Sequence, residues 1–133
     1  MTSPLPRILL IEPQFVLRRT ISMVARDLGV VDFHEASSVG RARTLLASEA
    51  YAGLVLDLAE GPQALELLHE LRQGQFATRP GIPVVALSAD AAPADAARLQ
   101  ALGVARVLGK PVRISDLLSA LAQALAQTAP LNR

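Results

Sequence analysis

Short apolar runs alternate with amphipathic stretches five times along this chain, and four of the runs end at or just before a reactive side chain. Ile8-Leu9-Leu10-Ile11 stops at Glu12 and Leu54-Val55-Leu56 at Asp57. Val84-Val85-Ala86-Leu87 stops at Ser88, and Val107-Leu108 is followed closely by Lys110-Pro111. This alternation is the pattern of βα repeats around a parallel sheet. The carboxyl ends of neighbouring parallel strands form one rim, and open α/β sheets bind their ligands there. Two carboxylates, a hydroxyl and an ammonium gathered at such a rim suit a phosphoryl group and a hard metal ion.

Helical spacing fills the intervals between strands. Leu17, Ile21, Val24 and Leu28 recur on one face while Arg18, Arg19 and Arg26 take others, and Gly29 closes the helix. A second strand is predicted near 31–35. The helix after it carries Val39, Ala42, Leu45 and Leu46, with Ser37 or Ser38 as N-cap. Pro62 is placed to begin a third helix that buries Leu65, Leu68 and Leu71. Two glycines and two prolines make 73–83 a long loop. An alanine-rich fourth helix is expected over 93–102, closed by Gly103. The fifth runs along Ile114, Leu117, Leu118, Leu121 and Leu125, and 128–133 reads as a frayed tail.

Strand polarity predicts the sheet order. A central parallel strand is covered on both faces and reads as an unbroken apolar run. The first, third and fourth strands do so, whereas the second carries Asp32, His34 and Glu35 and the fifth carries Arg106. The expectation is therefore an α/β fold, a doubly wound (βα)5 domain of flavodoxin-like order 2-1-3-4-5. Glu12, Asp57 and Ser88 then end three adjacent central strands.

The 133 residues suit one domain, 1–133, with a core over 7–126. A 51% apolar content with 19% charged residues argues against disorder, and a net charge of +1 shows no bias toward nucleic acid or anionic membrane. The scarcity of aromatic residues argues against base stacking, and the lack of cysteine excludes disulfides and thiolate chemistry. No apolar stretch reaches the roughly 18 residues of a membrane span and no signal-peptide pattern opens the chain, so a cytoplasmic protein is expected. No glycine-rich nucleotide loop follows any strand. His34 and His69 lack metal-ligand spacing and are read as surface residues.

On these residues the chain resembles a response-regulator receiver domain, the phosphoacceptor module of two-component signalling, over nearly everything from Arg7 to Ala126. In that family an acidic pair ends the first strand and helps hold Mg²⁺. The phospho-accepting aspartate ends the third, a Thr or Ser ends the fourth, and Lys-Pro follows the fifth. The matching positions are Glu12-Pro13, Asp57, Ser88-Ala89 and Lys110-Pro111, with further likeness in 64–68 and 82–89. The resemblance implies Asp57 as phosphoacceptor, assisted by Ser88 and Lys110. It also implies a Mg²⁺ site built from Glu12, Asp57 and the backbone carbonyl of Ala59, and a cis Lys110–Pro111 bond that aims the lysine at the acceptor. Positions such as Ala59 and Asp90 tune hydrolysis of the acyl phosphate in the family.

Three departures bear on that site. Pro13 stands where the family usually has a second acid, Ala59-Glu60-Gly61-Pro62 is one residue short after the acceptor, and Val107 replaces the aromatic of the fifth strand. Proline offers no side-chain oxygen, so a weakened Mg²⁺ site is expected. The functional expectation is a stand-alone receiver in a two-component or phosphorelay system, not an enzyme. It would take a phosphoryl group from a histidine kinase or phosphotransfer protein and signal to a downstream protein by contact, with no nucleic-acid or membrane partner. The chain ending after the fifth helix leaves no output domain in this reading. A homodimer through the fourth helix, fifth strand and fifth helix is a further expectation, suggested by Ala91, Ala92, Ala94, Ala96 and Ala97. The alternative is a pseudo-receiver, a binding module of the same fold that works without phosphorylation.

Overall fold

Each apolar run forms a short strand, and the amphipathic segments between runs cover the sheet from both sides. The computed structural model describes residues 4–90 and 92–128. In chain order the elements are β1 (Arg7–Ile11), α1 (Phe15–Leu28), β2 (Asp32–Ala36), α2 (Val39–Ser48) and β3 (Gly53–Asp57). A 3-10 turn (Leu58–Glu60) leads to α3 (Pro62–Arg72), β4 (Val84–Ser88), α4 (Ala96–Ala101), β5 (Arg106–Gly109) and α5 (Ile114–Thr128). All strand pairs are parallel and the order is β2-β1-β3-β4-β5, as strand polarity predicts.

Alternate side chains along each strand leave for opposite faces. Leu9, Ile11, Leu54, Leu56 and Val84 pack with Val39 and Leu46 of α2, with the leucines of α3 and with Leu99. Ile8, Leu10, Val55, Val85 and Leu87 pack with Ile21 and Ala25 of α1 and Leu117 and Leu121 of α5. Every residue of β3 and β4 is buried, whereas β5 is largely exposed, as an edge strand is.

Local chemistry sets the element ends. Of the two candidate serines, Ser38 caps α2, its hydroxyl accepting from Arg41 N at 3.1 Å. Gly29 closes α1 in the left-handed conformation. Pro62 opens α3. β2 runs one residue further than expected because Ala36 still pairs with Ile11. The inward seam of α1 passes through Ile21, Ser22 and Ala25, and Leu28 stands exposed.

The largest difference from the sequence reading is α4, which begins at Ala96 rather than at Pro93. Only Leu99 anchors it in the core, and a short helix with one anchor gains little from packing. Thr128 still belongs to α5, so the expected tail shortens by that residue. Positions 129–133 of the tail, and Ala91 of the alanine-rich face, lie outside the described residues.

Opposite the rim, Arg72 joins three segments. Its guanidinium donates to the carbonyls of Leu102 (2.7 Å), Pro80 (2.6 Å), Ile82 (2.8 Å) and Gly103 (3.2 Å). Burial holds its pKa below the ordinary arginine value. Arg72→Met keeps most of the aliphatic stem and removes every donor, so stability should fall by about 2 kcal/mol or more. Urea unfolding measures this, and an unchanged midpoint would show that water replaces the guanidinium at no cost.

Candidate functional site

Strand register brings the reactive residues to one rim of the sheet. Ile11 pairs with Leu56, so Glu12 follows β1 beside Asp57, the last residue of β3. Ser88 pairs with Gly109, and Lys110 N donates to Ser88 O at 2.8 Å. The Lys110–Pro111 bond is cis, as the resemblance implies. From there the lysine crosses β4 and β3. Its ammonium donates to Asp57 Oδ2 at 2.6 Å and to Glu12 Oε1 at 2.9 Å.

Both carboxylates are buried, Glu12 completely. Their remaining oxygens are bonded as well: Glu12 Oε2 accepts from Gln14 N at 2.9 Å and Asp57 Oδ1 from Ala59 N at 2.7 Å. Burial raises the pKa of Glu12 above the usual carboxylate value, opposed by the bonds from Gln14 and Lys110 and reinforced by the charge of Asp57. For Lys110, burial works against the ammonium, but its bonds to Asp57 and Glu12 prevail and hold its pKa above the ordinary lysine value. The cluster is thus a hydrogen-bonded triad of two acids and one base in a poorly solvated place.

Asp57 and Lys110 open onto a cleft of about 770 Å³. Leu58, Ala59, Ser88, Asp90 and Pro93 also line it, and Leu65 and Leu99 supply an apolar wall. Ser88 reaches this cleft, but its hydroxyl is engaged locally, donating to Asp90 O and accepting from Asp90 N, both at 3.1 Å. Its hydrogen bonds therefore do not run to Asp57. Ala59 lines the cleft, and its amide serves Asp57 directly.

Oxygen donors of this kind suit a hard cation such as Mg²⁺ in type. In number they are few: among the described residues no three acidic or histidine side chains gather into a metal-binding group. A cation must share the two carboxylates with Lys110.

Two contributors escape a reading by motif. Arg18 donates to Glu12 O at 2.9 Å and to Glu35 Oε1 at 3.1 Å, tying the end of β1 to β2. Glu60 accepts from Val39 N at 2.7 Å, joining the turn after Asp57 to α2. Neither bond has a local sequence signal, since each spans separate elements. His34 is likewise not a lone surface residue. Its Nδ1 lies 3.2 Å from Tyr51 Oη, and its ring meets Tyr51 edge-on.

Comparisons with known proteins agree with this architecture. The response regulator receiver domain family matches residues 8–122. A sensor protein from Polaromonas sp. JS666 is 26% identical, with a TM-score of 0.81 over 95% of this chain and 100% of that one. A response regulator from Thermotoga maritima is 20% identical, with a TM-score of 0.78 over 92% and 98% of the two chains. A CheY-like receiver domain protein from Methanospirillum hungatei JF-1 is 19% identical, with a TM-score of 0.81 over 92% and 95%. The last two likenesses bear on fold alone. No curated protein matches the sequence.

Removing one member of a buried ionic cluster leaves the others uncompensated. Lys110→Met should therefore cost about 3–5 kcal/mol near neutral pH. In the parent, a raised lysine pKa contributes stability that is fully present below the unfolded value and lost only as pH rises through the folded one. In the variant, Glu12 loses its cation and its pKa climbs further, so the folded state binds a proton more tightly than the unfolded state. The deficit should then shrink as pH falls from about 7 toward 5. Urea unfolding across that range reads it, and a deficit independent of pH would exclude a buried Glu12 charge as its source.

Proposed function

We propose that this chain, which belongs to the response regulator receiver domain family, takes a phosphoryl group on Asp57 and passes a signal on by protein contact. The working unit is a single domain centred on residues 7–126. The observation that carries the reading is the Lys110 ammonium held 2.6 Å from a buried carboxylate that faces an open cleft. One oxygen of Asp57 attacks the phosphorus of a phosphohistidine presented by a kinase or phosphotransfer protein. The P–N bond breaks, the imidazole leaves, and an acyl phosphate remains. Lys110 and the Ala59 amide supply positive charge and a hydrogen bond where negative charge moves. Ser88 contributes its hydroxyl once it leaves Asp90.

Asp57, Glu12 and the Ala59 carbonyl are the residues we assign to Mg²⁺, and when bound the ion neutralises phosphoryl charge. Affinity is low in this reading because Pro13 offers no ligand and both carboxylates are already engaged by Lys110. The output is a downstream protein rather than an enzymatic product. No helix among the described residues is long and apolar enough to cross a membrane, and the reading carries a cytoplasmic location with it.

The α4, β5 and α5 face remains the proposed homodimer surface, with Val107 as its large exposed apolar side chain among the described residues. Most of the other large exposed apolar side chains lie on α1, where Phe15, Val16 and Met23 are 65%, 74% and 53% exposed. These favour a protein partner there.

The pseudo-receiver reading draws support from a specific observation. All four carboxylate oxygens of Glu12 and Asp57, and the Ser88 hydroxyl, already have partners within the protein.

Intact mass after incubation with phosphoramidate and Mg²⁺ separates the two. The parent should gain a phosphoryl mass and Asp57→Asn should not. Equal labelling of both, or of neither at saturating Mg²⁺, would favour the pseudo-receiver. Restoring an acid by Pro13→Asp should tighten Mg²⁺ binding about tenfold or more. Calorimetric titration of parent and variant tests this, and equal affinities would mean that Pro13 is not what limits the metal site.

A further inference from the structure

The turn after Asp57 is held from both ends. At one end Asp57 is its N-cap, with Oδ1 accepting from Ala59 N at 2.7 Å. At the other, the Glu60 carboxylate leaves the turn and accepts from Val39 N, the first residue of α2, at 2.7 Å. Just past Glu60, Gly61 N closes the turn on Leu58 O at 3.0 Å, and Gly61 takes a positive φ of 61° that glycine adopts without strain. Only two residues, Leu58 and Ala59, thus separate the acceptor carboxylate from a carboxylate bound to another element.

The Glu60 bond is chemically well placed. The first amides of a helix have no partner within it, and the helix dipole favours a negative charge beside them. Ser38 satisfies Arg41 N from within the chain's own cap, and Glu60 satisfies Val39 N from outside it. A charge-assisted bond of this kind is stronger than a neutral one, and Glu60 is half-buried, which limits screening. The other side of the acceptor is less well connected. The Ser88 hydroxyl is closed on Asp90, and β5 carries Val107, which has no ring to move.

We propose that Glu60 is a positioning residue of the acceptor site: it pins the turn after Asp57 to the N-terminus of α2, so that a change of charge on Asp57 is felt at α2. The carboxylate of Asp57 holds the Ala59 amide, and through it the pitch of the turn. Neutralising or esterifying that carboxylate weakens the hold, the turn relaxes, and Glu60 moves relative to Val39. The inference rests on the phosphoacceptor reading only for its biological meaning, because the coupling itself needs no phosphoryl group.

The test is a double-mutant cycle read by ¹H–¹⁵N spectra of the metal-free, unphosphorylated protein. Asp57→Asn removes the charge of the acceptor. In the Glu60 parent it should shift the amides of Ala59 and Val39. In Glu60→Ala the same change should still move Ala59, but the displacement at Val39 should be lost. Glu60→Gln, which keeps an acceptor for Val39 N–H, should restore most of it, a rescue that loss of general stability does not produce. If Val39 responds equally with glutamate and alanine at 60, or does not respond in the parent, the proposal is wrong. Folding of each variant is checked by circular dichroism, and should Glu60→Ala unfold, the decision passes to Glu60→Gln, where loss of the Val39 response would overturn the proposal. Absence of a phosphoryl mass in the separate labelling experiment defeats the phosphoacceptor reading and leaves this cycle intact.

Discussion

One ammonium shared between two buried carboxylates is the constraint around which the rest of the structure is arranged. Glu12 and Asp57 end neighbouring strands and repel each other where water is scarce. Lys110, at 2.9 and 2.6 Å, makes their proximity tolerable. A cluster of this kind adds little to stability compared with apolar packing, yet losing one member is costly. That asymmetry makes the triad a sensitive place for a charge to be added.

The scaffold explains how three residues so far apart in sequence meet. β1 and β3 pair in parallel so that Glu12 and Asp57 end neighbouring strands, and β5, paired to β4, brings Lys110 to the same rim. The two apolar layers, α2 and α3 with Leu99 on one side and α1 and α5 on the other, hold that register. Arg18 and Arg72 then fasten opposite ends of the sheet through backbone carbonyls. Glu60 does the same for the turn after Asp57.

Much of this was legible in the residues. The polarity of Asp32, His34, Glu35 and Arg106 marked the edge strands, because an interior strand has no face on which to solvate a charge. Lys110-Pro111 after the last apolar run marked the site's cation. Less legible were features that depend on competition between partners. The sequence marks Ser88 as a rim hydroxyl, but not that this hydroxyl bonds the backbone of Asp90, two residues away and always within reach. Alanine-rich spacing extends α4 over 93–95 on paper, but one core anchor at Leu99 does not support so long a helix. The contact of His34 with Tyr51 has no sequence signal, because Tyr51 lies on a different segment.

Short-range patterning therefore determined the element types, their order in the sheet and the identity of the rim residues. Each follows from how apolar and polar side chains partition along a strand or helix, which is a property of the local sequence. Tertiary structure alone decided that one ammonium bridges the two rim carboxylates. The bonds from Lys110, at 2.9 and 2.6 Å, tolerate little displacement and join segments that only the packed sheet brings together, whereas the amides of Gln14 and Ala59 lie two residues from their acceptors. The sharing of Lys110 between two acids and the link from Glu60 to Val39 both arise from that packing, since neither pair has any relation in sequence.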